Sequence, residues 1–149
     1  MLNVRLVSIL LLCMASSAGA TEALPPGAYA IDAALQIPNL NGPSWKATRY
    51  VCLDPSQPGL RMPVPVLSPN NPFGACAAEQ LVRTDTELRY HIVCPGRGAA
   101  RAEASYRLAP DGFRGQIAMV LGAKNMTLTE FQTGHRLGDC EPAAAAAQP

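Results

Sequence analysis

Apolar and polar residues alternate with a period of two along most of this chain, a pattern typical of β-strands that bury one face. The first alternating run covers Gly27 to Ile37, and we predict a second strand from Trp45 to Leu53. Five more strands are predicted at residues 77–84, 87–94, 100–108, 113–121 and 126–133, and residues 134–140 continue the last one after a break. No long segment has a convincing helical period, so the sequence predicts an all-β protein.

Short turns between the strands indicate how they pair. Asp85-Thr86 and Asp111-Gly112 are two-residue turns of the kind that join antiparallel strands. Because strands adjacent in sequence usually lie adjacent in space, we expect an antiparallel meander of about seven strands. The pattern is compatible with a curved sheet and with a small barrel.

The segment from Asp54 to Phe73 interrupts the alternation with a high density of proline and glycine. Prolines cannot donate hydrogen bonds to a sheet ladder, so we predict a long surface loop here. Its prolines favour an extended, preorganised conformation that a partner protein can recognise. The apolar contacts that it would offer are Met62, Val64, Val66 and Leu67.

The start of the chain has the layout of a secretion signal. Arg5 is followed by an apolar stretch from Leu6 to Ala15 and by Ala18-Gly19-Ala20, an A-x-A cleavage pattern. This stretch is shorter than the roughly 20 apolar residues of a transmembrane helix. We therefore predict a signal peptide at residues 1–20, a β domain at 21–140, and a disordered alanine- and proline-rich tail at 141–149. No membrane insertion is expected after cleavage.

The charge balance bears on the class of partner. The chain has 12 Lys and Arg residues against 11 Asp and Glu residues, and Arg5 leaves with the signal. A neutral mature domain gives no electrostatic reason to bind nucleic acid or an anionic membrane. We expect no nucleic-acid partner.

Four cysteines remain after the signal and its Cys13 are removed: Cys52, Cys76, Cys94 and Cys140. An even number in an exported protein indicates two disulfides, for which three connectivities are possible. No two of the cysteines are close enough in sequence for a metal site or a thioredoxin-like motif.

The predicted strand register ranks the three connectivities. Counting back from the Asp85-Thr86 turn puts Cys76 opposite Pro95, one residue from Cys94. We therefore predict a Cys76–Cys94 disulfide, which leaves Cys52–Cys140 as the second. The second bond would tie the end of the domain to the sheet.

Glu130 is an unusual residue in the predicted sheet. The ladder of the last hairpin places it opposite Ile117, on the apolar face, where a charge is costly unless it is paired. Either Glu130 anchors a ligand, or a β-bulge turns it outward and brings Phe131 in. We expect the bulge, because Phe131 would otherwise face solvent.

A patch of small residues on the same face raises the question of a cavity. Ala100, Ala102, Ala104 and Gly115 contribute little volume. The space either holds a ligand or admits a large side chain from elsewhere, and Trp45 is the candidate side chain. The ligand-binding candidates are therefore Trp45, Tyr106 and Glu130.

The chain shows no pattern typical of an active site. His91 and His135 are its only histidines, and His91 alternates to the outer face. No serine lies in a G-x-S-x-G elbow, and no acid pair is evident. We expect no catalytic residue, no metal site, no cofactor and no enzymatic activity.

Several short motifs occur together in a fixed order. They are Pro26-Gly27, Val51-Cys52-Leu53, Ile92-Val93-Cys94, Gly112-Phe113-Arg114-Gly115 and Arg136-Leu137-Gly138-Asp139-Cys140. Over residues 24–140 the chain thereby resembles the proteobacterial secreted proteins of domain-of-unknown-function family 3617. The resemblance implies an exported β domain with four cysteines, and it implies no activity.

Two non-catalytic functions follow as hypotheses for an exported, periplasmic or secreted domain. The first is a module that binds a hydrophobic small molecule, as small β-barrels can. The alternative is an accessory protein of the cell envelope that contacts another protein through residues 54–73. The sequence does not predict the oligomeric state.

Overall fold

A computed structural model of the chain describes residues 24–54, 61–96, 100–122 and 126–140. Seven strands form one antiparallel sheet: β1 (Gly27–Gln36), β2 (Trp45–Leu53), β3 (Ala77–Arg83), β4 (Glu87–Val93), β5 (Arg101–Ala109), β6 (Gly112–Leu121) and β7 (Met126–Gly138). A short 3-10 helix covers Pro72–Ala75. The predicted all-β fold of about seven antiparallel strands is confirmed. The predicted signal peptide and tail lie outside the described residues.

The strand order shows that the sheet is open. It runs β2-β1-β7-β6-β5-β4-β3, so β2 and β3 form opposite edges. Strands adjacent in sequence pair with each other except for β2 and β3, and β1 pairs with β7 instead. The chain between β2 and β3 must therefore travel from one edge of the sheet to the other.

β7 is a central strand, and it is longer than predicted. It runs without a break from Met126 to Gly138 and pairs with β6 on one side and β1 on the other. The predicted break before Gly134 is wrong, because two neighbouring strands hold the backbone of β7 in the ladder. A shift in register against β1 occurs only near the end, between Ala28 and Tyr29.

Residues 61–76 cross one face of the sheet, and we call them the crossing segment. Five of their side chains are fully or almost fully buried: Met62, Val64, Ser68, Phe73 and Cys76. The prediction of a surface loop is therefore wrong for this part of the chain. The segment covers the face of the sheet that carries the apolar residues, because burial of that face needs a second layer. We call this the inner face and the opposite side the outer face.

Both predicted disulfides are present. The Cα atoms of Cys52 and Cys140 are 5.6 Å apart, and those of Cys76 and Cys94 are 4.9 Å apart. The register differs from prediction by one residue, because Ala77 faces Val93 and this brings Cys76 opposite Cys94. The cause is a β-bulge in β3, where Gln80 has a φ of 52°. The two disulfides indicate an oxidising, extracytoplasmic environment.

The small residues of the inner face make room for aromatic rings. A Cβ atom added to Gly115 would lie 2.4 Å from the Tyr106 ring, and one added to Gly134 would lie 2.3 Å from the Phe113 ring. Tyr106 and Phe113 meet edge to face with ring centroids 5.5 Å apart. The space beside Gly115 is thus filled by the Tyr106 ring, and the expectation that Trp45 fills the space is wrong.

Trp45 lies on the edge strand β2 and is only half-buried. Its ring contacts the guanidinium of Arg49, whose Cζ lies 5.9 Å from the ring centroid.

In the part of the chain that the structure describes, no helix is long and apolar enough to cross a membrane.

Candidate functional site

A buried carboxylate holds the crossing segment against the sheet. Glu130 is completely buried and accepts hydrogen bonds from the backbone N–H groups of Leu67, at 2.8 Å, and Ser68, at 3.0 Å. The Ser68 hydroxyl and the Gln132 amide, at 2.6 Å, donate to the same carboxylate. Because four donors compensate its desolvation, the charge is tolerated in the core.

The expected bulge at Glu130 is therefore wrong. The ladder between β6 and β7 stays regular, with Glu130 opposite Ile117 and Phe131 opposite Gln116. Phe131 points to the outer face and is 44% exposed. The sequence favoured the bulge because it removes Phe131 from solvent, and it did not reveal the donors that pair with the carboxylate.

The contact with the crossing segment is extended by further hydrogen bonds of Gln132 and by two tyrosines. Gln132 donates from Nε2 to the Pro65 carbonyl at 2.8 Å and accepts at Oε1 from the Tyr106 hydroxyl at 3.0 Å. The Tyr90 hydroxyl donates to the Val64 carbonyl. Among the described residues, no buried side-chain nitrogen or oxygen lacks a hydrogen-bond partner. The network is thus fully satisfied by the chain itself.

Burial also affects the ionisation of the two tyrosines. Desolvation raises the pKa of Tyr90 and of Tyr106 well above the usual value for a phenol. Both hydroxyls therefore stay protonated and act as hydrogen-bond donors in the folded state. This suits a structural network better than acid–base catalysis at neutral pH.

The structure brings together two of the three predicted ligand-binding residues. Tyr106 and Glu130 are linked through Gln132, and both are committed to contacts within the chain. Trp45 is separate from them: Leu35 lies between it and Glu130, facing one on each side. Among the described residues, the buried polar side chains of the inner face are all paired within the chain.

A groove at one end of the sheet is lined by apolar and glycine residues in the part of the chain that the structure describes. It has a volume of about 610 Å³. Its described lining consists of Pro72, Phe73, Cys94, Pro95, Gly96, Ala100, Leu121 and Gly122. Ligand sites combine an apolar lining with a few placed polar groups, and these residues offer no polar side chain.

The outer face has both an apolar and a polar component. Phe131 is flanked by two open grooves, and its side chain lines both of them. One groove, of about 540 Å³, also has Asp32, Lys46 and Thr48 in its lining. The volume lies in the range typical of ligand sites. Thr48 donates a hydrogen bond of 2.6 Å to Asp32, which fixes the carboxylate beside the groove.

The second groove, of about 390 Å³, lies on the other side of Phe131 and is rich in arginine. Ser105 and Gln116 follow Phe131 across the sheet, since Ser105 faces Gln116 and Gln116 faces Phe131. The charged residues of its lining are Glu87, Arg89, Arg107 and Arg114. The outer face thus places hydrogen-bonding groups and charges around one exposed ring.

Neither histidine belongs to a reactive cluster. His91 and His135 are both exposed, on β4 and β7, and a disulfide holds each of the four cysteines. Within residues 24–54, 61–96, 100–122 and 126–140, no group of three His, Cys, Asp or Glu side chains is placed to hold a metal ion.

Sequence reasoning missed the outer-face site because it assigned Phe131 to the core. Continuing the period-two ladder through residue 130 without a bulge places Phe131 outside, beside Gln116. That signal was present in the sequence, but the exposure of Phe131 and the cost of a buried carboxylate argued against it.

Comparison of the chain with family models, with curated proteins and with solved structures finds no match, so the resemblance to family 3617 stays a prediction.

Proposed function

We propose that this protein is an exported, non-catalytic binding module that takes its ligand on the outer face of the sheet. The observation that carries the proposal is Phe131, an aromatic ring that is 44% exposed at the centre of a sheet face and lines two grooves. An exposed ring on a surface of polar side chains is a typical contact for a ligand with a flat apolar side. The sequence predicted a hydrophobic small molecule as the ligand, and the outer face keeps the apolar contact of that prediction at Phe131.

The closed inner face supports this choice of surface. The rings of Tyr106 and Phe113 occupy the space beside the small residues, and the crossing segment covers them. A ligand inside the sheet would have to displace Val64, which is fully buried and whose carbonyl accepts a hydrogen bond from Tyr90. The outer-face grooves are open without such a rearrangement.

The alternative of a protein partner held by residues 54–73 receives less support. Met62 and Val64 are buried against the sheet, and only Val66 and Leu67 remain half-buried. The described part of the segment, residues 61–73, therefore has little apolar surface to offer. Residues 55–60 lie outside the described part of the chain.

Export to the periplasm or beyond belongs to the same proposal. The two disulfides support an oxidising compartment. The A-x-A pattern at residues 18–20 supports cleavage of a signal by a secretory peptidase. Sequencing the N-terminus of protein recovered from the host envelope is expected to give Thr21 as the first residue.

Native mass spectrometry of protein recovered from its own envelope tests the binding function. We expect a mass above that of the polypeptide, and we expect Phe131→Ala to lose this additional mass. Tyr50→Ala is the matched control, because Tyr50 is a 76% exposed aromatic residue of the outer face that lines neither groove. Repeated recovery of the bare polypeptide, or an additional mass that Phe131→Ala retains, would contradict the proposal.

A further inference from the structure

Two arginines face each other across the outer face without an acidic partner between them. Arg107 on β5 lies directly opposite Arg114 on β6. Directly opposed positions bring Cβ atoms to about 5 Å, and like charges at such positions destabilise a sheet. In the described part of the chain, neither arginine has a carboxylate within 4.0 Å. The pair therefore costs stability that a bound anion would restore.

The surrounding charges do not neutralise this pair. The groove beside Phe131 contains three guanidinium groups and one carboxylate, Glu87. Glu87 forms an ion pair of 3.4 Å with Arg89 and lies opposite Arg107 in the ladder. One carboxylate shared among three arginines leaves a local excess of positive charge, although the mature chain as a whole is neutral.

We propose that this groove binds an acidic saccharide, a sugar chain that carries carboxylate or phosphate groups. The inference rests on the proposed function and adds the chemical class of the ligand. Arginine guanidinium groups bind carboxylate and phosphate through paired hydrogen bonds. The opposed pair Arg107 and Arg114 offers two such groups at one place.

The remaining lining favours a sugar over an acidic peptide. Phe131 offers a ring against which the C–H face of a sugar can lie, and Ser105 and Gln116 between the ring and the arginines can exchange hydrogen bonds with hydroxyl groups. The groove is shallow and open, without the desolvated pocket in which a peptide side chain normally anchors. A sugar chain needs no such pocket.

Affinity electrophoresis in gels that contain defined polymers tests the inference. The probes are polygalacturonate, which carries carboxylates, dextran phosphate, which carries phosphates, and neutral dextran. We expect retardation by at least one acidic polymer, and at least a tenfold loss of that affinity in both Arg107→Gln and Arg114→Gln. Arg101→Gln is the matched control, because Arg101 is an exposed arginine on the same strand outside this groove.

The outcomes separate the ligand class from the binding function. In one outcome, Phe131→Ala weakens binding to dextran or to an acidic polymer, while the two arginine variants bind as tightly as the parent protein. The proposal that the ligand is acidic is then wrong, and the proposal that the outer face binds a ligand stands. If the Phe131 and arginine variants all bind like the parent, both proposals fail. Equal retardation by poly-L-glutamate, or no retardation by either acidic polymer, would also overturn the inference.

Discussion

Replacement of Glu130 by glutamine tests how the crossing segment is held. The substitution keeps the shape of the side chain and converts one acceptor oxygen into an amide that donates. The two carboxylate oxygens each accept from two partners: Oε1 from Leu67 and Gln132, and Oε2 from the amide and hydroxyl of Ser68. Whichever oxygen is replaced, at least one buried backbone N–H group loses its acceptor.

The expected cost can be built from these contacts. The new amide is least unfavourable at the Oε2 position, because the Ser68 hydroxyl can rotate and accept a hydrogen bond from it. The backbone N–H group of Ser68 is then the one buried donor without an acceptor. An orphaned buried donor costs about 1–3 kcal/mol, and each of the two bonds that remain at Oε1 loses about 1 kcal/mol when its acceptor becomes neutral. We therefore expect Glu130→Gln to lower the free energy of unfolding by about 3–5 kcal/mol.

Urea unfolding with amide hydrogen exchange measures this effect. We expect a lower midpoint at an unchanged m-value, together with faster exchange at Leu67 and Ser68. Glu103→Gln is the matched control, since Glu103 is exposed on the outer face, and it should change stability by less than about 0.5 kcal/mol. In a double-mutant cycle, Glu130→Gln and Ser68→Ala should be strongly non-additive. A cost below about 1 kcal/mol with protected Leu67 and Ser68 amides would refute the assigned role of Glu130.

Three further predictions concern the sheet and its cross-links. Above about pH 10 the tyrosines of the unfolded state ionise, whereas burial keeps Tyr90 and Tyr106 protonated in the folded state, so the free energy of unfolding should fall as pH rises. In denaturant titrations at several pH values, Tyr90→Phe should reduce this slope by about 1.4 kcal/mol per pH unit. Gly134→Ala should cost about 1–3 kcal/mol by clashing with Phe113, whereas Gly74→Ala, with open space around it, should be close to neutral in thermal unfolding. Replacing Cys52 and Cys140 by serine should cost about 1.4 kcal/mol more of unfolding free energy than replacing Cys76 and Cys94. The reason is that the first disulfide links residues 88 apart in sequence and the second links residues 18 apart. Equal unfolding midpoints of the two double variants would contradict this chain-entropy estimate.

The strands were predictable because their signal is local. Alternation along β5 and β6 and the Asp111-Gly112 turn specify a hairpin without reference to the rest of the chain. The same local reasoning gave the Cys76–Cys94 pairing. It missed the exact register, because the bulge at Gln80 depends on a backbone conformation that no turn residue announces.

The crossing segment was not predictable from the same reasoning. Its prolines exclude it from a sheet ladder, and segments outside a ladder generally run over the protein surface. The polar backbone groups that the prolines leave are satisfied by side chains that lie far away in sequence. Val64 and Pro65 offer carbonyls to Tyr90 and Gln132, and Leu67 and Ser68 offer N–H groups to Glu130. Only the three-dimensional structure shows that these donors and acceptors lie within hydrogen-bond distance of each other.

The buried network and the exposed arginines follow from one constraint on a single-sheet protein. A sheet has two faces, and the crossing segment packs on the inner one, where every buried polar side chain of the described residues is paired. The outer face is therefore the one open to a ligand. On the inner face Glu130 is compensated by donors from its own chain, so that face is stable by itself. On the outer face Arg107 and Arg114 oppose each other without a carboxylate within 4.0 Å, so that face gains stability from an external anion. The inner carboxylate is paired within the chain, whereas the two outer arginines have no carboxylate within 4.0 Å in the described part of the chain, and this asymmetry favours an anionic ligand on the outer face.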